Sequence, residues 1–320
     1  MKLSIVVPVF NEESNIKRFY EELTGVLKQL PHSYEIICVD DGSRDQSFQL
    51  LKNLAGADDH LRVIKLTNNF GQSAAMSAGI DQAHGEYIIT LDADLQNDPA
   101  EIPRMLQEIE KSGADIVSGW RKERQDHFLS RVLISRIANG LISRITGVKL
   151  HDYGCTLKVY KADVLKRVPL YGELHRFLPA LASWQGSTVV ELPVNHRARV
   201  SGQSKYGLSR IYRVFFDLIS VKYFLSFQAK PLHFFGLVGF VISAPGFLIA
   251  AVITFQRFVL GADISPRIPS LIFSALSIMA GMQVMMMGLI ADVIVRTNKQ
   301  TAKGMNNHYL IREIINPYGR

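Results

Sequence analysis

The stretch TLDADLQNDP, residues 90–99, places Asp92 and Asp94 one residue apart at the end of an apolar run, YIITL. A single acid at a strand end commonly serves as a turn or a cap, but two in this spacing repel each other and need positive charge nearby. Asp-x-Asp on a short loop suits a hard divalent cation, Mg²⁺ or Mn²⁺, which takes few protein oxygens and fills its other positions with water or phosphate oxygens. The arrangement recurs: Asn11-Glu12, Asp40-Asp41 and Asn68-Asn69 each follow an apolar, β-branched run. Basic residues gather elsewhere. Arg121, Lys122 and Arg124 follow another such run, and Arg197, Arg199, Ser204, Lys205 and Tyr206 lie together further on. Arginine grips phosphate bidentately and lysine binds it as a point charge, so both clusters are expected to meet an anion.

The elements that must position these residues are legible as an alternation. Strands are expected over 3–8, 35–39, 62–66, 87–91 and 115–119. Between them, helices are expected over 13–30, from a Ser43 cap through about 55, over 72–83 and over 99–112. Strand and helix in turn predict an α/β fold with a mostly parallel, Rossmann-like sheet covered by helices. In such sheets ligands bind beyond the carboxyl ends of the strands, where these polar residues recur. Residues 126–147 read as a helix carrying Arg131, Arg136 and Arg144, and 208–230 as an amphipathic helix lying at a bilayer surface.

The rest of the chain is of another kind. No Lys, Arg, Asp or Glu occurs from Pro231 to Gln256 or from Ile268 to Ala291. Each stretch is roughly 25 residues, enough to cross ~30 Å of hydrocarbon at ~1.5 Å per residue. The expected organisation is a catalytic domain over 1–207, the amphipathic helix over 208–230, and two spans within 231–295 (about 232–256 and 268–294). A tail over 296–320 follows. Lys222 and Lys230 precede the first span, and Arg296, Lys299 and Lys303 follow the second, against Arg257 and Arg267 in the connecting loop. That bias puts both termini in the cytoplasm of an inner-membrane protein. Met1-Lys2 runs straight into the first strand, so no cleavable signal is expected, and two lone cysteines fit a reducing compartment. The excess of seven positive charges lies beside the spans, which favours anionic lipid over nucleic acid as its partner.

VVPVFNEE, VDDGSRD, NFGQSAAMSAGI and LDADLQNDP, in this order, resemble the GT-A domain of family 2 inverting glycosyltransferases. LDADLQNDP with two C-terminal spans resembles, within that family, the dolichyl-phosphate mannose synthases and the bactoprenol glucosyltransferases. The resemblance implies that Pro8, Phe10, Asn11 and Glu12 line a nucleotide pocket, with Glu12 on the ribose and Asp40 and Asp41 on the base edge. It implies that Asn69 approaches the sugar diphosphate, that Asp92 and Asp94 bind nucleotide and metal, and that Gln96 sits nearer the acceptor. Asp152 stands where inverting members often carry an acidic base. A phosphate acceptor with a second pKa near ~6 is already largely dianionic at neutral pH, so Asp152→Asn is expected to cost less than Asp94→Asn. The implied reaction is transfer of one hexose, glucose from UDP-glucose, to undecaprenyl phosphate or a similar polyisoprenyl phosphate. Oligomeric state is left open. A processive polysaccharide synthase would carry Gln-x-x-Arg-Trp, which Ser183-Trp184-Gln185 does not match. A non-catalytic nucleotide-binding regulator would bind the same donor without turnover.

Overall fold

A computed structural model describes residues 2–122, 140, 143, 147–168, 170, 174–197, 231–301 and 309–315. The chain divides into two units, Met1–Val221 with Asn307–Arg320, and Lys222–Asn306.

The first unit is built on one sheet. Its strands are β1 (Lys2–Val9), β2 (Ser33–Asp40), β3 (Leu61–Leu66), β4 (Tyr87–Thr90), β5 (Ile116–Trp120), β6 (Lys158–Lys161), β7 (Val189–Pro193) and β8 (Ile311–Ile315). They lie in the order β7-β5-β6-β4-β1-β2-β3-β8. The pairs β1–β2, β1–β4, β2–β3 and β5–β7 are parallel, as the alternation predicts. Two features depart from it. β6 runs antiparallel between β4 and β5, so β5 does not adjoin β4. β8 runs antiparallel beside β3, so part of the expected tail over 296–320 is a strand of the first unit.

The central strands are buried on both faces, with Leu3, Ile5, Val6 and Val7 at 0% exposure, which is why they read as continuous apolar runs. The helices over them are amphipathic. In α1 (Ile16–Leu27) the buried residues Ile16, Phe19, Leu23 and Leu27 recur at helical spacing, and in α4 (Ile102–Ser112) so do Ile102, Met105, Leu106 and Ile109. Each fully buried aliphatic side chain contributes roughly 1.5–3 kcal/mol. Between these helices in sequence lie α2 (Ser47–Ala55) and α3 (Gln72–Asp81). α3 buries Ala74, Ala75, Ala78 and Gly79, small residues that let it lie close on β1 and β2. Ser43 caps no helix: α2 begins four residues later, at Ser47, and the Ser43 hydroxyl instead accepts from Asn11 N–H at 3.0 Å. A short α5 (Leu178–Trp184) precedes β7.

The second unit is a helical hairpin of α6 (Pro231–Phe258) and α7 (Ile268–Thr301). Small residues form the seam. A Cβ on Gly239 would lie 2.5 Å from the Gly281 carbonyl oxygen, and Ser274 Oγ donates to Gly246 O at 2.7 Å. The small-residue spacings Gly239-x-x-x-Ser243 and Ser277-x-x-x-Gly281 thus join two helices of one chain. Outside the seam the helices present apolar side chains, including Leu237, Phe240, Leu248, Met286 and Ile290, each more than half exposed. Only 22% and 11% of their most apolar windows are buried, unlike core helices of a soluble domain. The amphipathic helix expected over 208–230 lies outside the described residues.

Candidate active site

The loops leaving the carboxyl ends of β1 to β4 are tied to one another. After β1, Asn11 turns the chain with a left-handed φ of 55°, and its side chain accepts from Arg44 N–H at 2.9 Å. Glu12 N–H donates to Ser47 Oγ at 2.8 Å, and Asn15 Nδ2 donates to Glu12 Oε2 at 2.6 Å. After β2, Gly42 takes a φ of 70°, and a Cβ there would lie 2.6 Å from the backbone of Asn68. The β2 and β3 loops therefore meet backbone to backbone, which only glycine allows. Asp41 locks the contact: its carboxylate accepts from Phe70 N–H at 2.7 Å and Gly71 N–H at 2.9 Å. Burial raises its pKa, and those two N–H groups oppose the rise. Asp40 is fully buried, and neither carboxylate oxygen has a hydrogen-bond partner among the described residues. Burial raises the Asp40 pKa too; the nearby Ser43, whose groups fall outside hydrogen-bond geometry, and the Lys65 charge oppose the rise.

Beyond β4 the chain turns sharply. Leu95 is held at a φ of 64°, a strained conformation for a branched side chain, and is anchored by being 3% exposed. Within the turn, Gln96 N–H donates to Asp94 Oδ1 at 3.1 Å. Asp92 is braced from two elements. Gln72 Nε2, at the start of α3, donates to Oδ1 at 2.7 Å, and Thr156 Oγ1, just before β6, donates to Oδ2 at 2.9 Å. Thr156 is fixed in turn by Asn97 Nδ2 at 2.7 Å and, through its carbonyl, by Thr90 Oγ1 at 2.7 Å. Burial, then the charges of Asp94 and Glu12, push the Asp92 pKa up to about 7, while Thr156 and Arg121 hold it down.

These side chains share a cleft of about 260 Å³ lined by Pro8, Phe10, Glu12, Asp41, Asn69, Gln72, Asp92 and Asp94 among others. Seven sequence-predicted residues meet here. Asn11, Asp40 and Gln96 do not line it. Among the described residues no cluster of three or more His, Cys, Asp or Glu side chains could hold a metal ion. Two crowded carboxylates fit a hard divalent cation whose remaining ligands are water and substrate oxygens, and the elevated Asp92 pKa shows the charge such an ion would relieve.

The basic residues behave differently from expectation. Arg121 donates to Asp152 bidentately, Nε to Oδ2 at 2.6 Å and Nη2 to Oδ1 at 2.9 Å. Burial alone would lower the Arg121 pKa, but the Asp152 carboxylate outweighs it and holds the guanidinium charged. A guanidinium so engaged is not a free phosphate clamp. Asp152 is 1% exposed and also accepts from Gly154 N–H at 3.0 Å. Arg197 bridges Glu22 Oε2 at 2.5 Å and Asp98 Oδ1 at 2.7 Å, tying α1 to the loop after β4. Lys122 is exposed, with Nζ 5.9 Å from the Trp120 ring centroid. Arg124, Arg199, Ser204, Lys205 and Tyr206 lie outside the described residues.

Two contributors were invisible in the sequence. Thr156 braces Asp92, and the buried Lys158 donates to the Tyr153 and Cys155 carbonyls at 3.3 and 2.5 Å, holding the turn that carries Asp152. Both belong to the approach to β6, whose insertion beside β4 the alternating pattern does not reveal.

The description of glycosyl transferase family 2 matches residues 4–168, the span that supplies every wall of the cleft. The chain belongs to that family. Full-length relatives agree. It is 44% identical over 318 residues, 98% of this chain and 93% of the other, to dodecaprenyl-phosphate galacturonate synthase of Rhizobium johnstonii. It is 34% identical over 98% of this chain and 95% of the other to undecaprenyl-phosphate 4-deoxy-4-formamido-L-arabinose transferase of Aeromonas hydrophila. Among solved structures, glucosyl-3-phosphoglycerate synthase from Mycobacterium tuberculosis with Mn²⁺ and UDP-glucose superposes with a TM-score of 0.55 at 14% identity, covering 70% of this chain and 78% of that one. This likeness shows the GT-A fold. The protein is a glycosyltransferase with a mixed, mostly parallel α/β sheet.

Proposed function

We propose that this glycosyltransferase moves a single sugar from a nucleotide-diphosphate donor to a polyisoprenyl phosphate at a bilayer surface, with inversion. The supporting observation is a cleft lined by Glu12, Asp41, Asp92 and Asp94 in a chain whose full-length relatives are named for sugar transfer on dodecaprenyl and undecaprenyl phosphate. An oxygen of the acceptor phosphate attacks the anomeric carbon opposite the diphosphate; the C1–O bond breaks, and its electron pair leaves with the nucleoside diphosphate. The dianionic acceptor carries no proton that the enzyme must remove, which suits a site whose candidate base, Asp152, is paired with Arg121. Asp92 and Asp94 would hold the divalent ion, Mg²⁺ or Mn²⁺, that neutralises the leaving diphosphate. Asp41, which lines the cleft at the end of β2, offers its remaining acceptor capacity to the N–H edge of a base such as uracil. Catalysis then rests on positioning two anions and compensating the charge of one.

The sugar is proposed to be a modified hexose, galacturonate first. Glucose, which the resemblance of the motifs implied, is carried by neither relative's name; the galacturonate synthase is 44% identical, against 34% for the formamidoarabinose enzyme. α6 and α7 are proposed to span the membrane. Their exposed apolar faces support this, as does the return of the chain into the sheet at β8, which an even number of crossings permits. The catalytic unit is proposed to lie on the cytoplasmic side of an inner membrane, a reading that the flanking positive charges support.

The test is direct. Purified protein in lipid is supplied with polyisoprenyl phosphate, Mn²⁺ or Mg²⁺, and UDP-galacturonate or UDP-glucose, and the organic phase is weighed by mass spectrometry. A lipid carrying one sugar, formed faster from UDP-galacturonate, is expected. A polymer, or donor bound without any lipid product, would overturn the reading.

A further inference from the structure

The donor cleft is walled by elements from the first third of the chain, yet one of its loops is held by residues more than two hundred positions later. β8 pairs antiparallel with β3 from Val63↔Ile315 to Leu66↔Ile311, with a register shift between Lys65 and Leu66. Its first residues therefore lie at the carboxyl end of β3, where the loop leading through Asn69 and Gly71 departs. Leu310 O accepts from Thr67 N–H, the first residue of that loop, at 2.9 Å. Tyr309, 4% exposed, donates its hydroxyl to Asp81 Oδ2 at 2.6 Å, at the last residue of α3. Ile315 packs against the core, and Lys52 Nζ meets Glu313 Oε1 at 3.1 Å. That last pair is solvent-exposed and adds little.

The contacts clamp one unit at both ends. The loop begins at Thr67, is held midway by Asp41, and feeds α3, whose first residue Gln72 braces Asp92. The far end of α3 is fixed by Tyr309. A short helix held at one end only can tilt about that end, and the tilt displaces the side chain at the other. Asp81 is otherwise a surface acid; the buried phenol that meets it has a raised pKa, from burial and then from that carboxylate, and so stays a donor across the working range.

We infer that the C-terminal segment Tyr309–Ile315 is a positioning element of the donor site, with Tyr309 its main positioning residue: it sets the loop Thr67–Gly71 and α3 so that Asn69, Gly71 and Gln72 meet the nucleotide sugar. The inference rests on the reading of the cleft as the donor site. It makes donor binding depend on chain that follows α7, although among the described residues every cleft-lining side chain precedes it.

The full-length protein is compared with Tyr309→Phe, Asp81→Ala and Asp81→Asn at a temperature where all give the same circular dichroism. Asparagine can still accept from the phenol, so Asp81→Asn is the conservative rescue. Backbone hydrogen exchange, read without nucleotide, is expected to quicken about five- to tenfold at residues 67–72 in Tyr309→Phe and Asp81→Ala, as loss of one buried hydrogen bond allows. Exchange in β1 and β2 stays as in the parent, and Asp81→Asn behaves like the parent. KM for the nucleotide sugar rises by about the same factor in the two deleterious variants, while kcat and the lipid-phosphate KM stay within about twofold. Unchanged exchange at 67–72, exchange quickened equally throughout the sheet, or an unchanged donor KM would each overturn the proposal. Asp94→Asn separates this from the parent reading. If UDP with Mn²⁺ binds the parent and Asp94→Asn equally well, the cleft is not the donor site, and the exchange result still decides whether the segment holds the loop.

Discussion

The acids and the bases that the sequence puts forward end in opposite situations. Asp41 and Asp92 accept from neutral groups, namely backbone N–H, a glutamine amide and a threonine hydroxyl, so their negative charge is oriented without being cancelled. Arg121 and Arg197 are each closed into ion pairs with carboxylates of the same domain. Orienting with neutral donors fixes where a carboxylate points and keeps its charge for something absent from the protein; an ion pair uses the charge up. Under the proposed function, the acidic edge is what a cation and its phosphates would meet, while the two arginines are paired within the domain.

Asp94→Asn breaks the comparison most severely. It keeps the size and the acceptor for Gln96 N–H but removes a charge from the cleft. Transfer is expected to fall about 10²–10³-fold with little change in melting temperature. Asp152→Asn, measured beside it, should lose less activity and more stability. Equal losses of turnover would return Asp152 to the chemistry.

Arg121→Met tests the other half. It removes the guanidinium that pairs with Asp152, whose side chain is 2% exposed, and breaking such a pair costs about 3–5 kcal/mol. The double variant Arg121→Met, Asp152→Leu should recover most of that loss in chemical denaturation. A double variant as unstable as the single one would mean that the pair does more than balance its own charge.

How far these roles could be read from sequence depends on where the physical signal lies. Strand ends followed by acids are local patterns, so Glu12, Asp41, Asp92 and Asp94 were legible and do share one cleft. Charge partners are not local. Asp152 is 31 residues from Arg121, and Glu22 is 175 from Arg197, so neither pair leaves a mark in any window of sequence. The same limit hid β6 and β8. Both are short antiparallel insertions beside parallel strands, and an alternation of helix and strand gives no reason to place either. The sequence-predicted Ser43 cap failed for a related reason: its hydroxyl was claimed by Asn11, 32 residues earlier.

A milder test uses pH. Burial and the Asp94 charge push Asp92 up to a pKa of about 7, against an ordinary value of about 3.9. Its folded-state pKa is raised, so its contribution is most favourable below the ordinary value and is lost as pH rises through about 7. Without divalent ions, the parent protein should therefore lose about 1–2 kcal/mol between pH 5 and pH 8 relative to Asp92→Asn, a figure reduced for water on the open side of the cleft. Thermal melts of the two proteins in a chelating buffer give the difference. Parallel pH curves would mean that the neutral donors around Asp92 already compensate its charge, and the contrast with the arginines would blur.

Arg197 offers the smallest effect and the finest discrimination. Its side chain is 34% exposed and meets Glu22 and Asp98, which join α1 to the loop carrying Gln96. Partial exposure screens the pair, so Arg197→Gln should cost about 1 kcal/mol of stability. If the residue only braces that loop, glutamine still donates a hydrogen bond, and the KM for lipid phosphate should change by less than about threefold. If the guanidinium also reaches the acceptor, losing a charged phosphate contact should raise that KM by tenfold or more, since charge-assisted bonds are roughly twice as strong as neutral ones. Raising ionic strength separates the cases further. A phosphate contact weakens with salt and makes the parent converge on the variant, whereas a bracing role leaves their ratio constant. A KM that rises tenfold and converges with salt would move Arg197 from the framework to the acceptor site.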